Sequence, residues 1–434
     1  MITNMKAKAM KPVASTNLPV KTTDRILYLD ILRGMAILFI FLANSLPFSG
    51  WWDLTAAERD AMPFPMLDYV LEVLCTIFID GKWYSVFSIL FGIGLVVQMH
   101  SMRERTASFS RFFTRRMMGL LLIGGLHLFL LWPGDILALY AFIGLVAVAF
   151  RNASDKRLLR LAIFLLCLPL INWLVLYVVN WNYVDPLFEW FFMEIKVLSG
   201  GREDGFRWMR ENQDVGLFLK GTIRGSAMRL AMLLESGRFF KVLALFFIGM
   251  WAGRAILYRN LLGNTALLKQ IALWGVVVGL PMNLLRAYAE FGMDQSPMTG
   301  FFYELFYGLG TVPLACAYTA LLALALQRRY TFGMLFVPVG RMALTNYLAQ
   351  TILSLTIYYG IGFGLAFQFG LSQIWLISLT IYGCQIALSW WWLSHFRFGP
   401  VEWLWRQMTY GKWIDIRHKQ VKAPAAVELK VVKS

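Results

Sequence analysis

Asp30-Ile31-Leu32-Arg33-Gly34-Met35-Ala36-Ile37 opens the first apolar run of the chain, and Ile37 through Phe48 carries no charge. Asp30 and Arg33 stand three apart, so on a helix they share one face. A run of this polarity reads as a helix entering hydrocarbon. An ion pair at its mouth is costly and usually lines a site or braces a neighbouring helix. The rest of the chain reads as a bundle packed around that mouth.

Of 434 residues, 59% are hydrophobic and 15% charged, with a mean hydropathy of +0.59. Soluble domains sit nearer ~45–50% apolar and ~25% charged. The class is therefore an all-α polytopic membrane protein. The net charge of +16 invites a nucleic-acid reading, but the basic residues fall in short clusters between apolar runs. That is the pattern of the positive-inside rule, and no continuous basic stripe tracks a phosphate backbone. Nucleic acid is excluded as a partner; membrane lipids are expected. Cys75, Cys167, Cys316 and Cys384 are scattered inside apolar runs with no C-x-x-C, so small core residues are expected, with no disulfide and no metal.

A bilayer core takes about 20 apolar residues per helix. Ten spans are expected, at 29–48, 67–99, 117–132, 135–150, 159–180, 239–253, 270–289, 298–326, 333–359 and 372–394. With the N-terminus inside, the cytoplasmic segments and Arg160 beside them hold 27 of the 41 Lys and Arg and 6 acids. The outer segments hold 9 basic and 15 acidic residues. This bias sets the orientation and puts both termini in the cytoplasm. Residues 1–24 read as a disordered tail without a cleavable signal, 25–396 as the transmembrane bundle, 397–418 as a basic, Trp-rich interfacial helix, and 419–434 as disordered.

Within the bundle, Asp80-Gly81-Lys82 interrupts a second span too long for one straight helix. Either its first half lies on the outer surface or a tilted helix breaks there, and irregular backbone at membrane depth points to a cavity. Trp132-Pro133-Gly134-Asp135 is a tight turn, with Asp135 placed to cap the next helix. In the long outer segment 181–238, residues 215–234 read as an amphipathic helix at the interface, either a lid or a strut. Gly275-Val276-Val277-Val278-Gly279 packs helices. No internal repeat supports a two-fold transporter.

Four stretches carry a resemblance. They are Asp24-Arg25-Ile26-Leu27-Tyr28-Leu29-Asp30-Ile31-Leu32-Arg33-Gly34-Met35-Ala36-Ile37, then Gly125-Leu126-His127 leading to Trp132-Pro133-Gly134-Asp135-Ile136-Leu137. The others are Gly340-Arg341-Met342-Ala343-Leu344-Thr345-Asn346-Tyr347-Leu348 and Gly399-Pro400-Val401-Glu402-Trp403-Leu404-Trp405-Arg406. In this order, spanning nearly the whole chain, they resemble the signatures of the YeiB-like family of bacterial inner-membrane proteins. The first signature is similar to that of the transmembrane acyltransferases, including the heparan-α-glucosaminide N-acetyltransferase group and the O-acyltransferases of cell-surface glycans. The resemblance implies a multi-pass inner-membrane protein that takes an acyl group from cytosolic acyl-CoA and delivers it to an acceptor across the membrane. Asn44 lies where the O-acyltransferases carry a His. The acetyltransferase group also has Asn there with a His soon after, and residues 45–66 contain none.

His127 is the one histidine inside a span with other candidates. An imidazole suits a general base, and equally a structural bond to a neighbouring helix. Its candidate partners are Asp80, Asp135 and Glu304, of which Asp135 is nearest in sequence. Arg33 and Arg341 fall near the inner face, where a coenzyme A headgroup needs cations. Asp30 would orient Arg33, and Thr345 and Asn346 could line the same cavity or glue helices. Arg286 and Glu304 are expected to pair, and Trp51, Trp52 and Trp132 to form an interface belt. One functional reading is an acyltransferase with His127 as base, aided by Asp135 or Asp80, and Asn44 donating to the oxyanion. Its acceptor would be a small molecule or glycan. The other is a non-catalytic transporter or flippase of a small amphipathic solute or lipid. A homo-oligomer is left open.

Overall fold

The structure is a computed structural model that describes residues 26–102, 109–294, 296–328 and 331–418. The tails expected at 1–24 and 419–434 lie outside the described residues. Seventeen α-helices follow one another: α1 (Leu27–Ser49), α2 (Ala56–Asp60), α3 (Pro65–Leu74), α4 (Lys82–Met102), α5 (Phe109–Leu130), α6 (Leu137–Ala147), α7 (Asp155–Tyr177), α8 (Asp185–Leu198) and α9 (Gly205–Glu211). Then come α10 (Val215–Glu235), α11 (Arg238–Arg259), α12 (Thr265–Gly292), α13 (Pro297–Gln327), α14 (Val337–Arg341), α15 (Ala343–Tyr358), α16 (Leu371–His395) and α17 (Pro400–Tyr410). Among the described residues no strand forms, only one antiparallel bridge between Phe396 and Arg417.

Among the described residues, eight helical stretches are long and apolar enough to cross a membrane, where ten were expected. The two that fall short have local causes. The helix of the fourth run starts late because Asp135 and Ile136, which follow the Pro133–Gly134 turn, are not helical, and Asp135 caps the helix by accepting from Ala138 N–H at 2.7 Å. That leaves 11 residues in α6, ending in a 3-10 turn at Val148–Phe150. The ninth run is cut into a 3-10 stretch at Thr331–Phe336, α14 and α15, with Pro338 near the start of α14 and Met342 outside helical geometry. Pieces this short suit a helix pair buried in protein rather than an independent span. The reason α14 must be small is α1. A Cβ on Gly340 would lie 1.8 Å from the Asp30 carbonyl oxygen, and one on Gly34 would lie 2.2 Å from that of Phe336. Small residues at such crossings let membrane helices touch backbone to backbone. The Gly275–Gly279 pair likewise seats α12 against the Pro313–Leu314 backbone of α13.

The second span does break. α3 runs into a π-helical turn at Cys75–Ile79, Asp80 is extended, and Gly81 has φ +80° before α4 begins. The break frees carbonyls, and buried cations take them: Lys82 Nζ donates to Thr76 O at 2.6 Å, with Arg286 Nη1 at 3.5 Å from the same oxygen. At its other end this segment anchors α16, because buried Asp68 accepts from the Ser372 N–H at 2.7 Å.

The expected helix at 215–234 forms as α10. It packs across the Pro133 turn, and Arg229 holds the Asp135 carbonyl at 3.0 Å. The tryptophan belt is corrected: Trp52 is exposed, but Trp51 and Trp132 are buried. Trp51 packs with Leu46, Leu54, Leu371 and Ile374, and Trp132 lies 4.2 Å from the Phe48 ring. The end of the bundle bearing Asp30, Arg33 and α17 is called the basic end below. The end bearing residues 181–237 is the loop end.

Candidate functional site

Two cavities penetrate the bundle, one toward each end. The basic-end cavity, about 380 Å³, is lined by α1, α4, α5, α15 and α17. Five arginines face it (Arg33, Arg116, Arg341, Arg397, Arg406) against two carboxylates, Asp30 and Glu402. Asp30 is buried and accepts from Arg33 Nη1 at 3.0 Å, as a three-residue helical spacing allows. Arg116 stacks 3.6 Å over Trp405, whose indole N–H donates to the Arg116 carbonyl at 2.7 Å. Arg406 lies 4.4 Å over Phe398. Stacking on aromatic faces fixes the planes of these two cations at the cavity wall.

Glu402 ties α17 to the bundle. Its carboxylate accepts from the Leu344 N–H at 2.7 Å, the Thr345 N–H at 3.1 Å and the Thr345 hydroxyl at 2.5 Å. Burial pushes this carboxyl above its ordinary range, while the hydrogen bonds from Thr345 and Leu344 pull it back down. The expected interfacial tail helix is therefore shorter than 397–418 and is docked on the bundle by a cap. Glu402→Ala should strand two backbone amides, at roughly 1–3 kcal/mol each. We expect a lowered unfolding temperature in detergent, with Glu402→Gln, which keeps one acceptor oxygen, closer to wild type.

The loop-end cavity, about 590 Å³, is lined by Asn44, Asp80, Trp132, Arg210, Arg229, Arg238 and Arg286 among others. Ile40, Ile136 and Tyr347 line both cavities. These three side chains border both chambers.

Behind Tyr347 lies His127, its ring 5.2 Å from the Tyr347 ring and 6.5 Å from Trp132. His127 is buried and lines neither cavity. Its Nδ1 is 2.8 Å from Asp135 Oδ1 and its Nε2 is 2.9 Å from Thr351 Oγ1. A carboxylate on Nδ1 fixes the tautomer that puts the lone pair on Nε2, toward the hydroxyl. This is the hydroxyl–base–orienter order of a nucleophilic centre, and it is equally a fully satisfied buried network.

The other expected residues divide. Arg33, Asp30 and Arg341 share the basic-end cavity, and Asn44 and Asp80 share the loop-end one. Asp80 does not reach His127: it accepts from Arg286 Nη2 at 2.6 Å. The Arg286–Glu304 pair is thereby corrected, because the break at Gly81 swings Asp80 toward α12, and Tyr303 takes the same Arg286 nitrogen at 2.6 Å. Thr345 is held by Glu402, and Asn346 by Ser389 at 3.0 Å; neither lines the basic-end cavity. The sequence reading missed Thr351, Arg116, Glu402 and Arg406. No cluster of three metal-ligating side chains occurs among the described residues.

A family described as "Protein of unknown function (DUF418)" matches residues 252–412. The chain is 30% identical over 427 residues to "Uncharacterized protein YxaH" of Bacillus subtilis (strain 168), covering 92% of this chain and 98% of the relative. It is 27% identical to "Uncharacterized 39.9 kDa protein in amylase 3'region" of Bacillus acidopullulyticus, covering 93% and 99%. It is 29% identical to "Uncharacterized protein YeiB" of Escherichia coli (strain K12), covering 89% and 96%. The chain is a multi-pass membrane protein and belongs to the YeiB-like family that carries the DUF418 region.

Proposed function

We propose that this protein is an acyltransferase of the bacterial inner membrane, with both termini in the cytoplasm, that passes an acyl group from acyl-CoA at its basic end to an acceptor at its loop end. The observation that carries the reading is the five-arginine cavity, which shares the Tyr347 side chain as a lining residue with the loop-end cavity. An acyl-CoA has the matching shape and charge: a polyanionic headgroup for the arginine forks and a thin pantetheine arm that runs inward. Arg33 and Arg341 would hold the phosphates, Asp30 fixing the direction of Arg33.

His127 would act from behind Tyr347. With Asp135 on Nδ1, its Nε2 can take the proton of an incoming acceptor hydroxyl or amine once Tyr347 turns aside. The acceptor oxygen or nitrogen then bonds to the acyl carbon, the thioester C–S bond breaks, and the proton is delivered to the departing thiolate. Asn44, facing the loop-end cavity, is the side-chain amide available to the carbonyl oxygen.

A second reading is favoured by one observation. Both ring nitrogens of His127 are engaged within the protein, which suits a structural brace in a carrier whose two chambers open alternately around Tyr347. Calorimetric titration of the purified protein with acetyl-CoA and longer acyl-CoAs separates the two. Saturable binding is expected, weakened at least about tenfold by Arg33→Ala or Arg341→Ala, since each removes charge-assisted bonds to phosphate. No binding of any thioester would favour the carrier.

A further inference from the structure

Most charges of the loop-end cavity are paired with neighbours. Arg210 pairs with Asp53 at 2.7 Å, Arg286 with Asp80 at 2.6 Å, and Glu72 with Arg59 at 3.1 Å. Glu290, one turn after Arg286 on α12, lines the chamber and closes no ion pair among the described residues. Arg229 and Arg238 also line the cavity, half-buried, and neither has a carboxylate within ion-pair distance among the described residues. Arg229 spends two nitrogens on the Asp135 carbonyl, leaving Nη1. Arg238 closes no hydrogen bond among the described residues and lies 5.4 Å over the Tyr84 ring.

Three further observations point the same way. Burial and the neighbouring Arg238 charge, set against Asp135, lower the Arg229 guanidinium to about 10, so each of the two cations lies in the other's field. Arg238 is the first residue of a 22-residue helix whose N-terminus has no side-chain cap, and such an end is positive by its dipole and its free N–H groups. One turn further on, Lys241, behind the cavity lining, is 5% exposed, and its Nζ has no hydrogen-bond partner among the described residues and lies 3.7 Å over the Tyr307 ring. Nearby Glu304 moderates this field and makes no ion pair with either arginine among the described residues.

We infer that Arg229 and Arg238 form a binding site for a phosphoryl group in the loop-end cavity. A carboxylate is satisfied by one arginine fork. A phosphate, with more oxygens, takes forks from two directions as well as helix-end N–H groups. Phe39, Phe191, Met228 and Met232, which line the same chamber, give the ligand an apolar flank, so its class is a phosphate-bearing molecule with an apolar portion. That this molecule is the acyl acceptor rests on the acyl-transfer reading. Its binding does not.

The test uses the full chain purified without phosphate, with Arg33→Ala/Arg341→Ala as background so that the basic-end cavity does not compete. Inorganic phosphate, titrated by calorimetry, should still bind in that background, and adding Arg238→Gln should weaken it about tenfold. Arg238→Lys should recover part of the loss. In parallel, protein in nanodiscs of mixed phosphatidylglycerol and phosphatidylcholine is extracted and its retained lipid weighed by mass spectrometry. Arg238-dependent retention of phosphatidylglycerol identifies a lipid headgroup as the source; phosphate binding without lipid retention identifies a free phosphorylated molecule. The inference is overturned if neither probe binds, or if both bind equally well to Arg238→Gln. Absence of thioester binding in the wild-type protein, with phosphate binding intact, would sink the acyl-transfer reading alone.

Discussion

His127→Ala should bind acyl-CoA as tightly as the wild type and release CoA about 10²–10⁴-fold more slowly in a single-turnover assay, the range a general base contributes. Binding is spared because His127 lines neither cavity and lies behind Tyr347. Turnover is lost because, among the described residues, the other imidazoles are engaged elsewhere: His100 with Tyr258, His395 with Ser394, and His418, which lines the basic-end cavity, with the Leu393 carbonyl. Asp135→Asn should behave similarly through the tautomer, since an amide cannot hold Nδ1 as a carboxylate does. It should also loosen α6, which Asp135 caps at Ala138. Normal CoA release from His127→Ala would remove it from the chemistry and leave it a brace between α5, α6 and α15.

A large loss of stability is expected at Asp80→Ala. Arg286 is 3% exposed in its side chain, and Asp80 is the carboxylate it bonds. Removing one partner of a buried pair costs about 3–5 kcal/mol, chiefly because the survivor's charge stays buried. The cost should fall toward the low end here, because Asp80 is 47% exposed to the cavity and Tyr303 remains on Arg286. Thermal unfolding in detergent should show a clear drop for Asp80→Ala and a smaller one for Asp80→Ala/Arg286→Met, which removes both charges. A double variant as unstable as the sum of the singles would mean the two side chains do not act as a pair.

What the sequence made legible follows from what local periodicity encodes. Asp30 and Arg33 needed only the helical repeat, and His127 with Asp135 needed only a short hairpin closed by Pro133–Gly134. The apolar runs were plain in composition, yet two of them are too short to span. Their lengths are set by a turn and by Pro338 and Gly340, whose effect depends on α1 lying against them. Arg286 was assigned the wrong carboxylate because nothing local says which way Asp80 turns after a break; the π-turn and Gly81 decide it. Thr351 could not be told from any hydroxyl bonding within a membrane helix. Glu402 looked like a surface charge on an interfacial helix, and only the fold reveals two amides waiting for it. Arg229 and Arg238 belong to a segment of balanced charge, so their missing counter-charges emerge only when the pairs are counted in three dimensions.

The central claim is that the two chambers are halves of one route meeting at Tyr347. Its most direct test is photolabelling with an acyl-CoA carrying a diazirine on the acyl chain, read by peptide mass spectrometry and competed with unlabelled CoA. If the donor threads inward from the arginines, the label falls on peptides containing Tyr347 and Trp132, and CoA competes it away. Saturable label confined to the mouth, on Phe398 and the residues around Arg33, would mean the acyl group never reaches Tyr347.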